Sequence, residues 1–207
     1  ARFPMRQYVA ESAARVALTP DLNYPEFEGE WIPAPIDCSS VQATWSPPGA
    51  GEIVIGHSPS SRDRKGTDSV LVPAVEQLRR DGYHICLKII EGVSHRECVE
   101  AKMGLTLFWD QSIVGAYGNS ALEAMQFGIP TLCWMRPEAI DWAAGQLDDC
   151  PIVSFEPTQS GCAQAIKRLL DSDLSSLSKR TRDWTMRTHS IEVVGQRYVD
   201  IYRRLLE

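Results

Sequence analysis

The stretch EIVIGHSPSSRDRKGT at residues 52–67 sets a run of β-branched residues directly against a polar, cationic loop. Four further short apolar runs follow at 84–90 (HICLKII), 105–109 (LTLFW), 130–134 (PTLCW) and, more weakly, 151–155 (PIVSF). Helical patterns lie between them, and strands alternating with helices build a parallel sheet. The expected class is α/β, a parallel sheet with helices on both faces.

Val70, Leu71, Ala74, Val75 and Leu78 recur at helical spacing, and Gly82 supplies the stop. Pro73 is discordant, because inside a helix it removes a backbone bond and is expected to kink the first turns. The next helix opens at Ser94, with Glu97 completing a capping box. Another opens at Asn119 or Ser120, with Glu123 three positions after Ser120. Two more are expected at 158–171 and 174–187, and Ile191, Val194, Tyr198, Ile201, Tyr202 and Leu205 mark a final amphipathic one. Residues 1–50 read as a linker or appendage, with a helix over 5–16, a short strand near 16–18 and a Pro-rich extended run. Residues 51–207 form the main domain.

The 207 residues are 43% hydrophobic and 23% charged, the balance of an ordinary globular protein, which excludes a disordered or collagen-like chain. Asp and Glu number 27 against 21 Lys and Arg, so no dedicated nucleic-acid or anionic-membrane surface is expected. Any anion site must be local. The six cysteines (38, 86, 98, 133, 150 and 162) form no CxxC pair, and reduced, mostly buried thiols are expected. No apolar run approaches the ~18 residues of a membrane span, and the N-terminus lacks a signal-peptide core, so a cytoplasmic protein is expected. Opening on Ala1 instead of Met, the chain is expected to be an excised domain or a processed product.

The loops after the strands carry the polar chemistry, and in a parallel sheet those loops line the ligand crevice. Arg62, Arg64 and Lys65 put three cations in the first of them, a set that suits a phosphate or diphosphate as well as a solvated loop. His57 stands at the head of this loop. The second cluster, GAYGNSALEAMQFGIP at 115–130, offers close backbone approach at Gly115 and Gly118, with the amides of Gly118, Asn119 and Ser120 at a helix start. Neither GxGxxG nor GxxxxGK[ST] occurs there. Glu123 reads either as a capping carboxylate or as a ribose-binding one. Ser94 and His95, in EGVSHREC, stand at the same sheet edge and read either as surface residues or as contacts to a base or sugar. Asp110, at the exit of LTLFW, is a loop cap or a partner for a ligand hydroxyl. His57, His84, His95 and His189 lack zinc-ligand spacing, so no metal is expected, and there is no GxSxG elbow.

Taken in order, HSPSSRDRKGT, KIIEGVSH and DQSIVGAYGNSALEAMQFGIPTLCW resemble the C-terminal, donor-binding half of a GT-B fold glycosyltransferase, similar to glycosyltransferase family 4. Upstream, VALTPDLNYPEFEGEWIPAPID resembles the linker by which such enzymes enter the donor domain, so the likeness covers nearly the whole chain. The resemblance implies a Rossmann-like domain, one half of a GT-B fold, that binds a UDP- or GDP-linked sugar as donor substrate and needs no other cofactor. Lys65 matches the family's KG lysine on the diphosphate. Arg62 or Arg64 is nominated for the arginine by residue type. Glu123 matches the second glutamate of the Glu-x7-Glu motif, which binds the ribose. Gly118, Asn119 and Ser120 match the loop that meets the distal phosphate.

Two departures stand out. Gly115 occupies the place of the motif's first glutamate, which contacts the transferred sugar, and Asp110 is the candidate substitute. The acceptor half is also missing and is expected in cis or as a separate chain. The resemblance implies retaining, metal-independent transfer of a sugar to an acceptor hydroxyl. The competing expectations are a noncatalytic nucleotide or nucleotide-sugar binding module that works with a separate acceptor domain, and a purely structural domain.

Overall fold

In a computed structural model of the chain, residues 11–22, 29–38, 41–49, 51–143 and 145–207 are described. Strands β1 (Val16–Ala17) and β2 (Glu30–Trp31) pair in parallel as a separate short ribbon. The main sheet is built from β3 (Ile53–His57), β4 (Ile85–Ile89), β5 (Leu107–Trp109) and β6 (Thr131–Leu132). All of its pairs are parallel and its order is β4-β3-β5-β6. The chain runs from β3 out to β4 and then crosses back to β5 on the other side. The loops leaving β3 and β5 therefore diverge at a topological switch point, where such sheets open a ligand crevice.

Alternation along the strands divides the core in two. Ile55, Leu107, Trp109 and Leu132 join Ala74, Leu78 and Ile166 on one face, while Phe108 and Cys133 join Leu122, Met125 and Trp184 on the other. Helices cover both faces, as the alternating pattern requires. The expected strand at 151–155 survives only as a bridge from Val153 to Leu132.

The helices are α1 (Arg62–Lys65), α2 (Val72–Arg80), α3 (His95–Lys102), α4 (Asn119–Met125), α5 (Pro137–Trp142), α6 (Gln159–Leu170), α7 (Leu174–His189) and α8 (Ile191–Leu206). Pro73 falls in the first turn of α2, and the run before it, Thr67–Leu71, is π-helical instead of α-helical, an irregularity at the place where a kink is expected. The helix expected over 5–16 lies largely outside the described residues, and residues 12–15 are not helical.

The segment before the sheet is packed onto the domain. Trp31 and Ala34 belong to the same buried cluster as Phe108 and Trp184, and Ile32 packs with Val194 and Ile201. Buried His189 clasps this segment: its Nδ1 lies 2.8 Å from the Ala34 carbonyl and its Nε2 3.0 Å from the Tyr117 hydroxyl. The Ile36 amide donates to the His189 carbonyl at 2.8 Å. No helix among the described residues is long and apolar enough to cross a membrane.

Candidate functional site

The β3 loop is built to hold Lys65. Ser61 caps α1, accepting the Arg64 amide, and Gly66 ends it in the left-handed region at φ 82°. A Cβ at position 66 would stand 2.1 Å from the Ser112 hydroxyl oxygen, so the loop is closed around the absence of a side chain. The Ser112 amide donates to the Lys65 carbonyl at 2.9 Å and pins the loop to the exit of β5.

From there Lys65 Nζ reaches Asp110 Oδ1 at 3.3 Å, and Asp110 Oδ2 accepts the Gly118 amide at 2.8 Å. One carboxylate thus joins the KG loop to the glycine loop across the switch point. Its side chain is 1% exposed against 18% for Lys65, so Asp110 is enclosed in the protein while Lys65 keeps partial exposure at the switch point. Gln111, next in sequence, shapes the rest of the glycine loop. Its Oε1 accepts the amides of Ile113 and Val114, both at 2.7 Å, and its Nε2 donates to the Ala116 carbonyl at 2.8 Å. In the sequence Gln111 reads only as the neighbour of Asp110 at the exit of LTLFW, since a polar residue after a strand usually marks only a turn.

Gly115 sits at φ 92°, its carbonyl accepting the Arg136 amide at 2.8 Å. A Cβ there would lie 2.8 Å from the Cβ of Arg136. The backbone at this place therefore does not admit a glutamate without rearrangement. Helix α4 starts at Asn119 with Gly118 as its N-cap and no side-chain cap. As its first residues, Asn119 and Ser120 carry amides with no partner one turn earlier. The Ser120 and Ser58 hydroxyls are in hydrogen-bond contact, which joins this helix to the β3 loop.

Glu123 does not close the capping box its spacing suggested, because the helix begins earlier and places it beyond the first turn. Instead its Oε1 lies 2.9 Å from His95 Nε2, and its Oε2 is paired with Lys102 Nζ. Ser94 forms the expected capping box with Glu97, which orients α3 and His95. The two hydrogen bonds from Ser94 hold the Glu97 carboxyl below its usual range.

Of the remaining candidates, Arg62 forks onto Asp68 at 2.9 Å and reaches Glu91 at 3.2 Å, while Arg64 is exposed. His57, expected among the ligand contacts, is fully buried. Its Nδ1 lies 2.9 Å from the Trp109 carbonyl and its Nε2 2.7 Å from the Thr67 hydroxyl, so it ties β3 to β5 and to the π turn. That is an anchoring position inside the fold.

Burial, then the nearby Lys65 and Arg62 charges, push the His57 imidazole down to about 4, and burial does the same to His189. Both rings are neutral in the fold, whereas the unfolded chain protonates them near 6.5. Stability is therefore full above that pH and falls as pH drops toward 4, by on the order of 3 kcal/mol for each ring. Urea unfolding at pH 7 and pH 4.5 is expected to show a clear drop in midpoint. A midpoint that stays constant would mean that these rings are not buried neutral.

Among the described residues no group of three or more His, Cys, Asp or Glu is placed to hold a metal ion. All six cysteines are free, and burial, followed by the adjacent Asp110, holds the Cys133 thiol well above its usual range.

The architecture is shared with solved structures at low identity. The chain superposes on sucrose-phosphate synthase from Thermosynechococcus elongatus with TM-score 0.68 and 15% identity, covering 98% of this chain and 60% of that one. A glycosyltransferase from Rickettsia africae ESF-5 gives 0.66 and 14%, covering 98% and 67%. Anabaena HepE in complex with UDP-glucose gives 0.66 and 11%, covering 95% and 65%. The likeness shows the fold, a Rossmann-like α/β domain of the GT-B kind. The chain spans 60% of the length of the first of these structures. No family model matches the sequence, and no curated protein matches it either.

Proposed function

We propose that this chain is the donor-binding half of a family 4-like GT-B glycosyltransferase, taking a UDP- or GDP-linked sugar and passing the sugar to an acceptor hydroxyl. The observation that carries this reading is the convergence of Lys65, Asp110 and Gly118 at the β3–β5 switch point. Solved neighbours that hold UDP and UDP-glucose support it. The diphosphate lies against Lys65, with Arg64 or Arg62 as the second cation and the amides of Asn119 and Ser120 beside it. The ribose lies on Glu123.

In the reaction the anomeric carbon–oxygen bond breaks, its electron pair leaves with the diphosphate, and the acceptor oxygen bonds to the anomeric carbon as its proton passes to an oxygen of the departing diphosphate. Preorganised cations and amides stabilise the charge growing on the leaving phosphate, each contributing about 2–4 kcal/mol. The transfer is retaining and needs no metal, since Lys65 and its neighbours supply the positive charge. An acceptor half, in cis or as a separate chain, completes the enzyme. The six unpaired thiols suit a cytoplasmic setting.

One observation favours a second reading, a noncatalytic nucleotide-sugar module. The left-handed Gly115 removes the sugar-contacting carboxylate, and buried Asp110 already spends both oxygens inside the fold. Calorimetric titration with UDP and with GDP tests the shared donor site. One of them binds saturably without metal, and added Mg²⁺ leaves its affinity unchanged. Absence of binding by both contradicts the donor site. Transfer after an acceptor half is supplied distinguishes the enzyme from the module.

A further inference from the structure

Helix α3 contributes two residues to Glu123 that stand at opposite extremes of exposure. Lys102 is 0% exposed, and its ammonium lies 5.4 Å from the centre of the Phe108 ring as well as against Glu123 Oε2. The His95 side chain is 80% exposed, and it meets Glu123 Oε1 at 2.9 Å. Glu123 itself is 16% exposed, placed at the boundary between them.

These environments give the two contacts different lifetimes. A buried ammonium that left Glu123 would be an uncompensated charge without water, so the Lys102 contact does not open. A contact to an exposed ring is worth little, since the ring exchanges its partner for solvent at small cost. The carboxylate therefore has one fixed oxygen and one exchangeable oxygen.

We infer that Lys102 is a positioning residue that locks the Glu123 carboxylate through Oε2, and that His95 covers Oε1 until a ribose hydroxyl displaces it. This rests on the reading of Glu123 as the ribose acceptor. Without Lys102 the carboxylate would lose its orientation, and ribose recognition would weaken while the diphosphate contacts at Lys65 stayed intact. Without His95 the acceptor oxygen would stand open, and the ribose would no longer compete for it.

The test is calorimetric titration of the full chain with UDP, GDP, their 2′-deoxy counterparts and inorganic pyrophosphate. The unsubstituted chain is expected to prefer the better ribonucleotide over its deoxy form by about tenfold, the scale of one lost hydrogen bond to a charged group. Lys102→Met is expected to bring the two within about twofold of each other, with pyrophosphate affinity unchanged. His95→Ala is expected to tighten ribonucleotide binding by about two- to fivefold and to leave pyrophosphate alone.

A Lys102→Met chain that keeps the full preference overturns the inference, as does a His95→Ala chain that binds ribonucleotide more weakly. Should Lys102→Met fail to fold, His95→Ala decides, because it alters an exposed side chain. If the unsubstituted chain binds nucleotide with no ribose preference, the assignment of Glu123 fails. If it binds neither nucleotide, the donor site itself fails.

Discussion

Asp110→Ala is expected to lower folding stability by about 3 kcal/mol and to loosen the two loops at the switch point at the same time. The carboxylate is 1% exposed and holds Lys65 Nζ on one oxygen and the Gly118 amide on the other. Removing it strands a cation and a backbone donor together. Breaking a fully buried pair costs about 3–5 kcal/mol, and the partial exposure of Lys65 puts this case at the lower end. Asp110→Asn keeps one acceptor oxygen and loses the charge, so it is expected to fall between the alanine variant and the parent. Urea unfolding at pH 7 measures both losses. If the alanine variant matched the parent in stability, Asp110 would not be the joint between the two loops, and a ligand-facing role would be open to it again.

Gly66→Ala is expected to cost a similar amount, about 3 kcal/mol, through two separable causes. At φ 82° any Cβ is strained, and this one would also stand 2.1 Å from the Ser112 hydroxyl oxygen. Adding Ser112→Ala removes the second cause and leaves the first. The double variant is therefore expected to regain part of the loss, about 1–2 kcal/mol, measured as coupling between neighbours. No recovery would place the whole effect in the backbone. No loss in the single variant would mean that the turn holding Lys65 can be rebuilt without glycine.

The strands were legible because β-branched runs bounded by polar loops leave few alternatives. EIVIG, HICLKII, LTLFW and PTLCW each yielded a parallel strand, in an order set by packing. PIVSF did not become a full strand, since only Val153 reaches the edge, trading bonds with Thr131 and Cys133. The local geometry of the candidate site was legible where neighbouring residues decide it: the KG turn needs its glycine, and Ser94 with Glu97 caps α3.

It was not legible where partners are distant in the chain. Glu123 has the spacing of a capping residue, yet its partners are 28 and 21 positions away on another helix. Lys102 reads as an ordinary cation in the last turn of HRECVEAK, because nothing local reports that Glu123 and Phe108 will enclose it. His57 failed in the opposite sense. Its place at a strand end suggested a ligand contact, and only the parallel neighbour β5 shows that the Trp109 carbonyl takes its ring first.

The most direct measurement for the proposed donor site is the metal-free titration of UDP and GDP into the Lys65→Ala chain beside its parent. The account predicts saturable binding by the parent and a roughly 10- to 100-fold loss in the variant, the scale of one charge-assisted bond. A thermal melt run on the same samples checks that the variant is folded. Equal affinity in a folded variant would contradict the account, because the nucleotide would then bind away from the switch point where Lys65, Asp110 and Gly118 meet.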